Sequence, residues 1–205
     1  ETLPTIRMTK RQSKQSIRKS VASQVRSVVE SMAEKKRFAF LSNTNTVTTA
    51  GTVINVSNNI VQGDDLVNRT GDQIKTLHQT LLTRCTGITN SQSFRFIWFR
   101  DNTNRGTTPA VTEVLDSASI TSQYNPTTFQ QKRFTVFQDF MLDTSIVGRV
   151  IVHRNVVDKK RRAIYYNGAA SVAASNGPGA TFVLVIGSHA TGQYDVTAEI
   201  VYLDM

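Results

Sequence analysis

The chain has very few of the residues that build disulfide frameworks and metal centres. Its 205 residues include one cysteine and three histidines. The single cysteine, Cys85, excludes an internal disulfide, which argues against a disulfide-stapled secreted domain and favours a reducing compartment. The histidines, His78, His153 and His189, lie far apart in the sequence. None has the neighbouring cysteine or histidine that a zinc site requires.

Long apolar runs and catalytic motifs are also missing. The densest apolar run, Phe182–Ile186, has the length of a strand and is far shorter than the ~20 residues of a membrane helix. We find no glycine-rich phosphate loop and no nucleophile elbow, so we predict that the chain is not an enzyme and has no membrane partner. Charged residues make up only 19% of the chain, and abundant threonine, asparagine and serine favour strands and turns over long helices.

Positive charge is concentrated at the N-terminal end. Residues 1–38 hold ten lysines or arginines against three acids (+7), and the other 167 residues hold 14 bases and 12 acids (+2), which together give the net charge of +9. A basic extension on a nearly neutral body indicates a polyanionic partner, and we favour nucleic acid over a membrane surface. The arm residues predicted to contact its phosphates are Arg7, Lys10, Arg11, Lys14, Arg18, Lys19 and Arg26.

The hydrophobic period indicates a helix inside this arm. Ile17, Val21, Val25, Val28 and Met32 recur at intervals of three or four residues, which is the spacing of one helical face. We therefore predict a basic, nucleic-acid-binding arm over residues 1–37 with an amphipathic helix at about 16–36. Its narrow valine seam favours packing against copies of itself or against the body.

From residue 38 onward the period changes to two, which is typical of strands. The clearest strand is Ser93–Arg100, in which Phe94, Phe96 and Trp98 share one face. Thr46–Ser57 reads as one strand containing Gly51, and Ala110–Leu115 as a short helix. About eight strands with one long connection predict an all-β fold over residues 38–205: an eight-stranded antiparallel jelly-roll β-sandwich.

Two groups of charged residues have more than one interpretation. Carboxylates at turns, such as Asp64, can bind calcium, although the residues alone favour solvated turn acids. The basic run Lys159–Arg162 suits a second phosphate contact, an import signal or a solvated turn between two strands.

Many segments resemble the coat proteins of the satellite tobacco necrosis virus family. They are Glu34–Ala39, Thr49–Val53, Ile60–Asp65, Gly71–Gln73, Ser91–Pro109, Ser122–Pro126, Gln130–Thr135, Tyr166–Ala169 and Val172–Ala180. The resemblance is strong from Glu34 to Thr135 and weak across Phe140–Ile164. It implies a coat protein that forms a sixty-subunit T=1 icosahedral shell around a single-stranded RNA genome, with its N-terminal helices gathered at the threefold axes.

The resemblance also implies particular sites. Lys75, Arg100 and Lys132 match basic family positions on the inner surface and are expected to contact RNA phosphates. Structural calcium ions are expected between subunits. The first site combines the carboxylates of Glu34 and Asp204 with the carbonyl groups of Thr70 and Gln73, the second gathers Asp64 on the threefold axis, and the third uses a carbonyl near Val147 on the fivefold axis. Three converging Asp64 side chains would repel one another without a cation, so the resemblance favours calcium there.

The expected location is the virion, with assembly in the host cytoplasm. Two alternatives stay open on the sequence alone. One is the shell of a small circular single-stranded DNA virus. The other is a non-viral glycan-binding jelly roll, which would need exposed aromatic side chains such as Phe94, Phe96 and Trp98 on a sheet. A cupin-type enzyme lacks the clustered histidines its metal requires.

Overall fold

The structure is a computed structural model that describes residues 21, 23–25, 28, 32–89, 91–158 and 161–204. The chain divides into two compact units, Glu1–Glu34 and Lys35–Met205. In the first unit, residues 21, 23–25, 28 and 32 are helical, and the remainder of the predicted arm helix up to residue 31 lies outside the described residues. None of the described helices is long and apolar enough to cross a membrane.

The second unit is built from strands and two short helices. The strands in the described residues are β1 (Glu34–Thr46), β2 (Thr52–Asn55), β3 (Gln73–Thr86), β4 (Gln92–Asp101), β5 (Phe134–Thr144), β6 (Val150–Asp158), β7 (Arg162–Tyr165), β8 (Ala180–Gly187) and β9 (Gln193–Asp204). The helices α1 (Val111–Val114) and α2 (Pro126–Gln130) both lie in the connection between β4 and β5.

The strands form two sheets with the connectivity of a jelly roll. One sheet has the order β1-β9-β3-β6, with β7 also on β3, and the other has the order β2-β8-β4-β5. β6 pairs with the Gln79–Thr86 part of β3 and β7 with its Gln73–Thr76 part, both antiparallel. β6 and β7 are therefore consecutive pieces of one interrupted strand. The part of the chain that the structure describes has eight strand positions, and the predicted antiparallel jelly-roll sandwich is confirmed.

The core lies on both faces of β4. Phe94, Phe96 and Trp98 are fully buried in the cluster between the sheets. Ile97 and Phe99, on the opposite face, are equally buried in a second cluster beneath the β4–β5 connection. Since none of these side chains reaches solvent, the aromatic stripe offers no platform for a glycan.

Three features of the secondary structure differ from the sequence-based predictions. β1 begins at Glu34, so the predicted end of the arm helix at residue 36 is wrong, because Lys36 is drawn into a buried ion pair described below. The predicted strand Thr46–Ser57 is divided by a turn in which Gly51 has a φ of +81°, a conformation suited to glycine. Helix α2 was not predicted, although Asn125 caps it through the N–H groups of Thr127 and Thr128.

Candidate cation and nucleic-acid sites

A buried ion pair joins the first and last strands of the sandwich. β9 lies between β1 and β3, so Asp204 near the C-terminus has Lys36 of β1 on one side and Ile74 of β3 on the other. The Lys36 Nζ atom lies 3.0 Å from Asp204 Oδ2, and the two side chains are 2% and 5% exposed. Because both ions are withdrawn from water, each strongly depends on its polar neighbours.

Only one of the two Asp204 carboxylate oxygens has hydrogen-bond partners. Asp204 Oδ2 accepts hydrogen bonds from the Thr70 N–H group at 2.8 Å and from the Thr70 hydroxyl at 2.6 Å. Burial acts to raise the pKa of Asp204, but these bonds and Lys36 outweigh it and hold the pKa below its ordinary value. Asp204 Oδ1 is buried and has no hydrogen-bond partner in the described residues. An ionised carboxylate with one open oxygen suits a cation ligand.

Three residues of the expected first calcium site lie together at this point. Thr70 contacts Asp204 directly, and Gln73 begins β3 one residue before Ile74, which is the register partner of Asp204. The Thr70 carbonyl accepts a hydrogen bond from Gln62 Nε2 at 2.8 Å, which leaves its second lone pair for another ligand. The described residues contain no group of three His, Cys, Asp or Glu side chains able to hold a metal. A calcium ion at Asp204 would draw its further oxygens from backbone or a neighbouring subunit.

The loop of residues 62–70 carries Asp64 and is held from below by a buried arginine. Arg69 is fully buried, donates to the carbonyl groups of Ile60, Gly71 and Gly168, and stacks over the Tyr166 ring at 4.0 Å. Gly63 N–H donates to the Arg69 carbonyl at 2.9 Å, closing the loop on itself. Asp64 is exposed near the tip of this loop. The loop is thus a rigid support that presents a carboxylate to solvent.

The other predicted cation ligands stand apart. Glu34 is exposed at the start of β1. Val147 is exposed in the turn between β5 and β6, where Gly148 N–H donates to the Gly87 carbonyl at 2.7 Å. That turn lies at the far end of β3 from Gln73, roughly 40 Å away at ~3.3 Å per strand residue. A site at Val147 is therefore separate from one at Asp204.

Two of the predicted phosphate-binding residues are joined by one asparagine. Arg100 Nε donates to Asn102 Oδ1 at 3.1 Å, and Asn102 Nδ2 donates to the Lys132 carbonyl at 3.0 Å. Lys132 is exposed with a φ of +55°. This arrangement ties the Arg100 side chain to the backbone of Lys132, which is 32 positions away in the sequence.

The third predicted phosphate-binding residue, Lys75, lies on β3 next to β7, and β7 packs against Gly179. Lys75 is opposite Ala163 in the β3–β7 register. A Cβ atom on Gly179 would lie 2.5 Å from the Ala163 carbonyl oxygen and 2.7 Å from Arg100 Nη2. Glycine is required there, because its φ is +93° and a side chain would clash with the Ala163 backbone carbonyl. Arg100 therefore lies beside β7, which pairs with the Lys75 end of β3, while Lys132 precedes β5.

The remaining basic candidates lie mostly outside the described residues. This applies to Arg7, Lys10, Arg11, Lys14, Arg18, Lys19 and Arg26, and to the first half of the Lys159–Arg162 run. Within the described half, Arg161 is exposed, whereas the Arg162 guanidinium lies over the Phe137 ring at 5.5 Å. Arg162 therefore packs against the other sheet.

The sequence analysis did not assign two residues, Lys36 and Arg69, to these sites. Lys36 was assigned to the arm, although it alternates with Phe38 and Phe40, which pack against the core. That period of two could have placed Lys36 on the buried face of a strand. Arg69 has no comparable signal, since the polar loop around it gives no period.

These features are those of a viral shell subunit: a jelly-roll body, loop carboxylates and clustered basic residues. The family model described as "Satellite tobacco necrosis virus coat protein" matches residues 8–205. The chain belongs to this family of viral coat proteins, and it is a component of a virion.

Three relatives illustrate the range of the family. The chain is 96% identical over 198 residues to the coat protein of Satellite tobacco necrosis virus 2, covering 97% of this chain and 100% of that protein. It is 54% identical to the capsid protein of Satellite tobacco necrosis virus 1, covering 83% and 87% of the two chains. It is 32% identical to the coat protein of Maize white line mosaic Satellite virus, covering 74% and 71%.

Proposed function

We propose that this coat protein assembles into a sixty-subunit T=1 shell and packages single-stranded RNA through its basic N-terminal arm. Its role is structural, with no catalytic step, and we expect assembly in the host cytoplasm. The observation that carries the proposal is the separation of charge: +7 in residues 1–38 against +2 in the other 167. Sixty such arms would supply on the order of 400 positive charges, enough to neutralise several hundred phosphates.

The body contributes a smaller basic surface to the same task. Arg100 is hydrogen-bonded through Asn102 to the Lys132 carbonyl, and Lys75 lies on β3 opposite Ala163 of β7. Contacts of this kind to phosphate position a nucleic acid without reading its sequence. We expect the arm to provide most of the affinity and these three residues to guide the RNA along the shell.

Deletion of residues 1–28 tests the arm. The truncated chain retains every strand of the sandwich, so it should fold normally, as judged by circular dichroism. It should lose RNA packaging, measured as the nucleic acid recovered from purified particles. Full packaging by the truncated chain would contradict the proposal. Nuclease digestion of the extracted nucleic acid distinguishes RNA from the single-stranded DNA alternative.

We further propose that calcium stabilises the contacts between subunits. Asp204, the carbonyl groups of Thr70 and Gln73, and Glu34 of the arm exit would hold one ion. Asp64 and a carbonyl near Val147 would contribute to two others. Support comes from the open, buried Oδ1 atom of Asp204 and from its lowered pKa, which keeps it ionised. Calcium would supply a hard, divalent charge that binds oxygen ligands from more than one chain.

Two substitutions test the calcium proposal separately. Asp64→Asn should reduce the swelling that a chelator causes in particles, because the threefold site would lose its charge. Asp204→Asn should lower the number of calcium ions bound per subunit, measured by titration calorimetry on assembled shells. Unchanged calcium binding and swelling in both variants would overturn it.

A further inference from the structure

Lys36 is buried and has more hydrogen-bond partners than the single carboxylate of a simple salt bridge. Within the described residues, its ammonium group contacts three acceptors: Asp204 Oδ2 at 3.0 Å, the Asn68 carbonyl at 2.9 Å and the Asp65 carbonyl at 3.3 Å. A lysine ammonium has three N–H donors, so its hydrogen-bonding capacity matches this pocket. The side chain is 2% exposed, which makes the pocket a built cation site within one chain.

The same ammonium group contacts the Asp204 carboxylate and the backbone of the loop that carries Asp64. Asp204 is its direct ion-pair partner. Asp65, whose carbonyl it binds, is the residue that follows Asp64 in the loop. The backbone on either side of the loop tip is therefore tied through Lys36 to the last strand of the sandwich. Arg69 fixes the base of the loop, and the Tyr202 hydroxyl of β9 donates to the Val67 carbonyl at 3.1 Å. Lys36 adds a charged link from the Asp65 and Asn68 carbonyl groups to Asp204.

The positive charge of Lys36 compensates the buried negative charge of Asp204. Without a cation, Asp204 would be a buried carboxylate whose desolvation is opposed only by the hydrogen bonds of Thr70. An uncompensated buried charge is strongly destabilising. Lys36 supplies one positive charge at Oδ2 permanently and leaves Oδ1 open.

We propose that Lys36 is a built-in cation that holds Asp204 and the loop of residues 62–70 in calcium-binding geometry when calcium is absent. This inference rests on the proposed calcium site at Asp204. Lys36 and calcium would bind the two oxygens of one carboxylate and would partly replace each other in stabilising it. It follows that a chain without Lys36 depends more strongly on calcium than the natural chain.

The test compares Lys36→Met with Lys35→Met in the full-length protein. Both substitutions remove one positive charge from β1, but Lys35 is exposed and Lys36 is buried. In a chelator, we expect Lys36→Met to lower the Tm by roughly 10 °C, while Lys35→Met leaves it nearly unchanged. Added calcium should recover more than half of the loss, so that the calcium-induced rise in Tm is larger for Lys36→Met than for the natural chain.

Limited proteolysis provides a second measurement at the loop itself. Leu66 is 79% exposed and offers a chymotrypsin site beside Asp64. In a chelator, cleavage at Leu66 should be about tenfold faster in Lys36→Met than in Lys35→Met. If Lys36→Met fails to fold, Lys36→Gln keeps N–H donors without the charge and should show the same enlarged calcium response.

The possible results separate the two proposals. An equal loss of Tm with and without calcium, with unchanged loop cleavage, would mean that Lys36 only stabilises the fold, and the inference would be wrong. If calcium does not change the Tm of the natural chain or of either variant, the calcium proposal itself fails. In that case, faster cleavage at Leu66 in Lys36→Met alone would still support the mechanical link.

Discussion

The two ends of strand β3 differ in the residues that surround them: buried charges near Gln73 and exposed apolar side chains near Thr86. At the Gln73 end, Lys36, Arg69 and Asp204 are charged and buried. At the Thr86 end, the neighbouring turns and β6 expose large apolar side chains. These are Ile88, Ile146, Val147, Val150 and Val152, which are 44–63% exposed.

This difference indicates how each end contributes to a shell. Buried charges with matched partners fix local geometry, but they add little net stability. Exposed apolar side chains destabilise nothing within the chain, but they gain free energy when another copy covers them. We therefore expect the buried charges of the Gln73 end to position ions and loops. The exposed apolar side chains of the Thr86 end, together with Leu66 and Val67 of the loop of residues 62–70, are expected to supply contact area between subunits.

Arg69→Met should have the largest effect on the folded chain. It leaves the carbonyl groups of Ile60, Gly71 and Gly168 without their donor, and each unsatisfied buried group costs about 1–3 kcal/mol. We expect a loss of about 3 kcal/mol or more in the free energy of unfolding, measured by urea denaturation. Arg84→Met is the matched control, because the Arg84 side chain is 57% exposed. Equal losses of unfolding free energy in Arg69→Met and Arg84→Met would contradict the special role of buried charge at the Gln73 end of β3.

Ile146→Ser should act on assembly and leave folding unchanged. Ile146 is 63% exposed, so the free energy of unfolding of the unassembled subunit should change by less than about 0.5 kcal/mol. Losing an apolar contact of this size should weaken subunit association about tenfold, measured by light scattering during assembly. Leu41→Ser, at a residue that is 61% exposed on β1, is expected to have a smaller effect. Stronger loss of assembly in Leu41→Ser would contradict the assignment of the contact surface.

Asp139→Asn should reduce stability fully above about pH 4 and progressively less below it. Asp139 accepts two hydrogen bonds from Arg95 and one from Tyr124. Burial opposes ionisation, but these donors lower the pKa of Asp139 overall. A lowered pKa gives stability that is present above the ordinary value of about 4 and is lost as pH falls through the folded value. The variant should therefore lose about 1 kcal/mol at pH 7 and little near pH 2, as followed by thermal unfolding. A constant difference across this range would contradict the linkage.

The smallest expected effect is at Cys85, near the Thr86 end of β3, where the thiol should be unreactive in the folded chain. Burial, aided by the charge of Asp143, raises the pKa of the Cys85 thiol to about 12. Since the thiolate is the reactive form, the folded chain should not react with a thiol reagent at pH 8. Reaction in urea at the same pH provides the control, and rapid labelling of the folded protein would show that this end opens.

The body of the fold could be predicted because its signals are local. The alternation in Ser93–Arg100 follows from the strand geometry of two residues per repeat, and it correctly placed Phe94, Phe96 and Trp98 on one buried face. The short helix predicted at Ala110–Leu115 is present as Val111–Val114. The burial of Ile97 and Phe99 on the opposite face was not predicted, because it depends on a distant connection folding over the sheet.

The candidate sites were predicted less completely. Thr70, Gln73 and Asp204 were grouped by resemblance, and the structure brings them together. Lys36 and Arg69 were missed, since their partners are 168 and 99 residues away or are backbone carbonyl groups. Such partners leave no periodic pattern in the sequence.

The sequence by itself determined the class of fold, the uneven distribution of charge and the family to which the chain belongs, because these depend on composition and short-range order. Tertiary structure alone decided which charges are buried, which carboxylate oxygen stays open and which lysine holds the loop. Those properties depend on distances between strands that are far apart in the chain. They are fixed only when β9 inserts between β1 and β3 and withdraws Asp204 and Lys36 from water.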